Sequence, residues 1–209
     1  MKLDRFALGM LWTNCYVLSS RTGDAVVVDP GGPTEEVRQY LNEENLRLQW
    51  VLLTHGHGDH IFGVGELRTL ASRGVAICEE DAPCLVSSGE NLSRHMGQKV
   101  ELEPADRLLK DGDVLTVGDM KIEVIATPGH TRGGCCYYTS EGDEAVLLSG
   151  DTLFARSIGR SDLPGGDEAT LLASLGKLTG FPDSLKVYPG HGPSTTIGEE
   201  RSLNPFWPR

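Results

Sequence analysis

Four apolar, strand-like runs in this 209-residue chain each lead into a residue type that binds cations. Trp50-Val51-Leu52-Leu53 runs into Thr54-His55-Gly56-His57-Gly58-Asp59-His60, and Ile122-Glu123-Val124-Ile125 leads to Thr127-Pro128-Gly129-His130. Ala145 to Leu148 leads to Ser149-Gly150-Asp151, and Leu185 to Tyr188 leads to Pro189-Gly190-His191. Apolar runs of this length read as buried strands. In α/β architectures ligands gather outside the carboxyl ends of strands, so four segments built alike can converge on one point. Five of the six histidines lie in these segments, which is not how a hydrophobic core uses histidine.

A lone histidine after a strand is ordinarily a hydrogen-bonded loop residue. The stretch holding His55, His57, Asp59 and His60 differs in kind, because imidazoles buried side by side without a cation would repel one another or go unsatisfied. His130, Asp151 and His191 bring the candidate ligands to seven, all nitrogen or oxygen donors. Such a set suits zinc, iron or manganese, and with positions left open it is catalytic in character rather than structural. We expect it to hold two divalent metal ions per chain, with zinc the leading candidate.

The cluster His55-x-His57-x-Asp59-His60, followed by His130, Asp151 and His191, resembles the metallo-β-lactamase superfamily. The likeness extends from Val26-Val27-Val28-Asp29-Pro30-Gly31-Gly32 to Asn204-Pro205-Phe206. It implies an α/β fold of the αββα type: a four-layer sandwich of two mixed sheets with helices on both outer faces. Gly150-Asp151-Thr152-Leu153-Phe154 and Pro189-Gly190-His191-Gly192-Pro193 are most similar to the glyoxalase II (hydroxyacylglutathione hydrolase) branch, especially its short single-domain relatives. By that resemblance His55, His57 and His130 would hold one ion, and Asp59, His60 and His191 the other. Asp151 would bridge them, with Asp59 and Asp151 the catalytic carboxylates. A metal-bridging hydroxide would then attack a thioester carbonyl.

The resemblance also implies that Asp29 orients a ligand histidine, although Asp29-Pro30-Gly31-Gly32 by itself reads as a turn. Arg160 would keep the cation that touches the thiol carrier, while Asp162 stands where the family has a tyrosine. The helical C-terminal domain that completes the glutathione site in longer members is not expected. Gly159-Arg160-Ser161-Asp162 resembles persulfide dioxygenases as well, which use one iron held by the equivalents of His55, His130 and Asp151. An oxygenase is therefore the alternative reaction class, and a lactonase would need only the same hydrolytic chemistry.

Composition limits the rest. A chain of this length can bury enough surface as one domain, residues 1–209, without disulfides. A net charge of -11 argues against nucleic acid or anionic membrane as partners, leaving a small-molecule thioester or ester substrate and an open oligomeric state. Five cysteines without a Cys-x-x-Cys unit read as reduced, mostly buried thiols. With no signal-type apolar core near Met1 and no membrane-length run, a cytoplasmic protein is expected rather than a secreted lactamase.

The remaining patterns locate elements. Tyr16-Val17-Leu18 and Ala25 to Val28 read as early strands; Thr34 can cap a helix carrying Val37, Tyr40 and Leu41. A second helix should start near Asp59, bring Val64, Leu67, Leu70 and Ala71 inward, and offer backbone donors to the Asp59 carboxylate. Residues 107–127 read as a three-stranded meander, and Asp167 as the cap of a helix through Leu171, Leu172, Leu175 and Leu178 closed by Gly180. Ser87 to Gly97 reads as a mobile polar loop, and His95 as facing solvent.

Overall fold

The computed structural model describes residues 1–142 and 144–208. Two six-stranded mixed sheets form its centre, and they divide the chain in sequence order. The first holds β1 (Lys2–Leu8), β2 (Thr13–Ser19), β3 (Asp24–Val28), β4 (Arg47–Leu52), β5 (Val75–Cys78) and β6 (Arg107–Leu109), in that spatial order. The second holds β7 (Val114–Val117), β8 (Met120–Ala126), β9 (Cys135–Glu141), β10 (Glu144–Gly150), β13 (Lys186–Pro189) and β14 (Thr195–Thr196), in the order β14-β13-β10-β9-β8-β7. A small hairpin of β11 (Leu153–Phe154) and β12 (Ser157–Ile158) follows β10.

Side chains of a strand alternate between faces, and in β2, β3 and β5 both faces are buried. Tyr16, Leu18, Val26, Val28 and Leu52 point between the sheets, where they meet Ile122, Val124, Tyr137 and Leu148. Their neighbours Cys15, Val17, Val27, Val51 and Leu53 point outward beneath Val37 and Leu41 of α1 (Glu35–Glu43). The same layer takes Ile61 of α2 (Gly58–Ile61), Val64 and Leu67 of α3 (Val64–Arg68) and Leu85 of α4 (Ala82–Val86). On the far side Cys136, Leu147 and Val187 lie under Leu175 and Leu178 of α5 (Glu168–Leu178) and Ile197 of α6 (Ile197–Leu203). Each fully buried Leu or Val contributes about 1.5–3 kcal/mol, so the three apolar layers lock four layers of structure together. This is the expected αββα sandwich.

Several local expectations need correction. Thr34 precedes α1 without capping it, because its hydroxyl bonds the Glu66 carboxylate of α3 instead. The helix expected from Asp59 is broken into α2 and α3: the Gly63 amide donates to Pro30 O at 2.7 Å, which ends the first piece. As a result Leu70 lies beyond α3 and is exposed. The meander is really a hairpin, since β6 pairs in parallel with β5 in the first sheet and only β7 and β8 pair with each other. Half-buried alternation shows that a strand exists but not which sheet it joins. Asp167 caps α5 by accepting from Thr170 N at 2.7 Å, and Gly180 directly follows Thr179, where the helix ends, but without the left-handed φ of a glycine cap. Within this helix Leu171, Leu175 and Leu178 are buried and Leu172 is exposed. Of the five cysteines, four are buried, Cys84 is half-buried, and all are free thiols.

Candidate metal centre

All seven candidate ligands meet at the edge where the carboxyl ends of both sheets come together. The first sheet contributes His55, His57, Asp59 and His60 from the segment after β4. The second contributes His130 after β8, Asp151 after β10 and His191 after β13. Their donor atoms fall into three groups, each with its atoms within 4.8 Å of one another: His55, His57 and His130; Asp59, His60 and His191; and His55, His60 and Asp151. Gly190 permits the closest approach, for a Cβ there would lie 2.3 Å from Asp151 Oδ1 and 2.7 Å from His60 Cε1.

The spacing fits a cation. His60 Nε2 and His191 Nε2 are 3.2 Å apart, and Asp59 Oδ2 lies 3.2 Å from the latter and 3.6 Å from the former. A tetrahedral zinc with donors at about 2.0–2.1 Å spaces them roughly 3.3–3.4 Å from one another. Asp151 faces both groups, with Oδ1 at 3.5 Å from His60 Nε2 and Oδ2 at 3.6 Å from His130 Nε2 and 3.7 Å from His191 Nε2. Nε2 of His55, Nε2 of His130 and Oδ1 of Asp151 are buried with no hydrogen-bond partner among the described residues. Leaving such atoms unmatched costs about 1–3 kcal/mol each, which a bound cation removes.

The ring nitrogens of His55, His60, His130 and His191 that turn away from the centre are held, and this fixes the donors that face it. Asp29 accepts from Thr54 N at 2.8 Å, from the Thr54 hydroxyl at 2.6 Å and from His60 Nδ1 at 3.0 Å. Because Thr54 spends its proton on Asp29, its oxygen can only accept from His55 Nδ1, 3.1 Å away, which leaves His55 Nε2 bare. His130 Nδ1 donates to Arg160 O at 2.7 Å and His191 Nδ1 to Leu11 O at 3.1 Å.

Electrostatics separates the two groups. Burial pushes His55 far below the ordinary imidazole range, and the rings of His60, His130 and His57 push the same way. Burial likewise brings His57 down to about 3, so both rings are neutral, as ligands must be. At His60 burial also acts downward, but Asp151, Asp59 and Asp29 outweigh it and raise the ring to about 10. Burial opposes the charge on Asp59, yet His60 and His191 hold its carboxyl below the usual range. The second group therefore carries enough negative charge to draw in a positive one.

The cavity over these residues has a volume of about 460 Å³. Leu11, Leu92, Met96, Leu163 and Pro164 give it an apolar wall that sequence patterns did not point to. His95, exposed as expected, also borders it. Arg160 stands at its rim, but the guanidinium is taken by Asp162, with Nε–Oδ1 at 2.7 Å and Nη2–Oδ2 at 2.8 Å. Its part in holding His130 comes from the backbone carbonyl, and Leu11 acts the same way. No side-chain motif reports such groups. The Asp59 carboxylate faces imidazoles and not the backbone donors expected of a helix start. A larger groove of about 970 Å³ between α1 and β4, lined by Asp24, Arg38 and Arg47 among others, holds none of the ligand clusters found among the described residues.

The sequence model of the metallo-beta-lactamase superfamily matches residues 9–191, the span that carries every one of these ligands. The chain belongs to the metallo-β-lactamase superfamily. Among curated relatives it is similar to a probable metallo-hydrolase, YqgX, of Bacillus subtilis, 36% identical over 99% of this chain and 97% of that protein. It is also similar to the hydroxyacylglutathione hydrolase GloC of Haemophilus influenzae, 35% identical over 99% of this chain and 98% of the other. Among solved structures the B3 metallo-beta-lactamase BLEG-1 superposes with a TM-score of 0.91 at 41% identity, covering 98% of this chain and 99% of its own. A di-iron-bound form of TTHA1623 gives 0.85 at 35%, covering 97% and 99%. ETHE1 from Myxococcus xanthus gives 0.78 at 30%, covering 98% and 84%. The chain is thus a member of a metal-binding superfamily that includes metallo-hydrolases, and no helix among its described residues is long and apolar enough to cross a membrane.

Proposed function

We propose that this protein is a dinuclear metal-dependent hydrolase of thioesters, with zinc in both positions. The observation that carries the reading is the convergence of two separate donor triads on the two oxygens of Asp151. When bound, two divalent cations supply a hydroxide at neutral pH and polarise the carbonyl under attack. His55, His57 and His130 would hold one, and Asp59, His60 and His191 the other. The chain's own part is to turn Nε2 of His55, His60, His130 and His191 toward the centre, to hold Asp151 between the triads, and to present the substrate's apolar portion to Leu11, Leu92 and Leu163. The name of the Haemophilus relative, which matches over 98% of its length, supports a thioester substrate and makes a glutathione thioester the first to assay.

The likeness to ETHE1, together with Gly159-Arg160-Ser161-Asp162, favours a second reading: a mononuclear iron persulfide dioxygenase using His55, His130 and Asp151. Lactone or β-lactam opening is the third, the latter supported by the name of BLEG-1. His191→Ala separates the classes. For the hydrolase it should remove about one metal ion per chain and cut thioester turnover by roughly 10²-fold or more. Asp151→Ala should lower both further, since it serves both triads. Retention of one tight iron with undiminished persulfide-dependent oxygen uptake would transfer the assignment to the dioxygenase, and a preference for nitrocefin over every thioester would transfer it to the lactamase.

A further inference from the structure

Asp81 touches none of the metal donors, yet it holds both turns that carry the His55, His57 and His130 group. It precedes α4 and is 2% exposed. Its Oδ2 accepts from Gly56 N at 2.9 Å, and its Oδ1 accepts from Gly133 N at 2.6 Å. Gly56 stands between His55 and His57, and Gly133 lies in the turn that follows His130. The first turn leaves the first sheet and the second leaves the other, so one carboxylate spans the join between the sheets at the level of the ligands. Three other bonds connect these segments, Cys135 N to Thr54 O at 2.8 Å, the Tyr137 hydroxyl to Leu53 O at 2.7 Å and the Cys135 thiol to Leu53 O at 3.8 Å, but all lie lower, at the strand ends.

The arrangement is tight on both sides. A Cβ on Gly56 would meet Cys84 Cβ at 2.3 Å, so α4 presses the turn from below while Asp81 draws it from the side. Hydrogen bonds to an ionised acceptor are short and strong, and two on one short side chain set the distance between two amides. The triad of Asp59, His60 and His191 has a separate fastening. Asn14, 1% exposed, donates from Nδ2 to Pro189 O and Gly192 O, each at 2.9 Å, and its amide donates to Gly190 O at 2.7 Å. Asn14 thus holds the His191 turn and does not bond the turns held by Asp81.

We propose that Asp81 is a positioning residue for the first metal position: by fixing Gly56 against Gly133 it sets the spacing of His55 and His57 to His130, and through it the affinity for that ion alone. The proposal rests on the two-ion reading above. Zinc titration against a chromophoric chelator tests it with wild type, Asp81→Asn, Asn14→Ala and the double variant. An asparagine has the same shape but presents one acceptor and one donor, so it can satisfy only one of the two amides. Asp81→Asn should weaken one zinc step roughly 10–100-fold, as loss of a group supporting metal ligands does. The other step should stay within about twofold of wild type. Asn14→Ala should weaken the step that Asp81→Asn spares, so the double variant loses both.

Equal weakening of both steps by Asp81→Asn, no change in either, or a double variant that keeps one step intact would overturn the proposal. A wild type that takes up one zinc would instead overturn the two-ion reading. Asp81 is then judged on that single step, which must weaken in Asp81→Asn for the proposal to stand. Should Asp81→Asn not fold, hydrogen exchange in metal-free wild type decides. Gly56 and Gly133 amides protected without zinc support the fastening, and rapid exchange of either one refutes it.

Discussion

Asp29 shows how much of the site rests on one side chain. It sits at the end of β3 with φ of +51°, a left-handed conformation that aspartate tolerates better than most residues, at a cost of about 1–3 kcal/mol. In return its carboxylate receives three hydrogen bonds that orient His60 directly and, through Thr54, set the tautomer of His55. Asp29→Ala should therefore weaken zinc binding roughly 10–100-fold with the ligands themselves untouched. Asp29→Asn should fall between the two, because an amide can accept at only one atom; chelator competition reads both, and an unchanged affinity in the alanine variant would refute the role. At this scale the ligands were legible because imidazole and carboxylate are distinctive side chains in an unusual pattern. The supports from Arg160 O and Leu11 O were not, since every residue has a carbonyl and only the folded path says which one meets a ring nitrogen. Asp81 was equally hidden, lying far in sequence from the glycines it holds.

At the level of elements, the long apolar strands could be read directly, because a strand that is apolar at successive positions has to bury both of its faces. Polarity was a poorer guide to exposure. The segment from Ser87 to Gly97 is rich in polar residues, but Ser88, Asn91 and Ser93 are buried. Asn91 donates from Nδ2 to Cys84 O at 2.8 Å and to Val100 O at 2.9 Å, and its Oδ1 accepts from Ser93 N at 3.0 Å. These groups build the wall of the cavity that carries Leu92 and Met96. Asn91→Ala leaves all three partners unmatched, so denaturant unfolding should show a loss of about 2–3 kcal/mol, together with faster proteolysis within this segment. A second element-level test uses the β3–β4 pair. Bonds from Arg47, and then Gln49 and Thr22, hold the Asp24 carboxyl at about 2, below its ordinary 3.8. A depressed carboxyl stabilises the fold above 3.8 and stops doing so as pH falls toward 2. Wild type should thus exceed Asp24→Asn in Tm at neutral pH, with the gap closing across that acid window; a gap independent of pH would show that the charge is not involved.

Across the whole molecule, the order of strands has a practical consequence. The first sheet is made from the chain up to Leu109 and the second from Val114 onward, with only the turn between them joining the two covalently at that point. Each donor triad takes two ligands from the earlier half and one from the later, and Asp151 comes from the later half. The metal centre is therefore a staple between two separately encoded pieces. Cutting the chain within residues 110–113 should give fragments whose apolar faces recognise each other and whose reassembly tightens when zinc is added, by RT ln(1 + [zinc]/Kd), about 2.7 kcal/mol at a hundredfold excess over Kd. Analytical ultracentrifugation of the mixed fragments, with zinc and with chelator, reads the difference directly, and equal association in both would show that the inter-sheet core suffices without the staple. A reporter split at this turn would then serve as a sensor of free metal, its signal switched on by complementation.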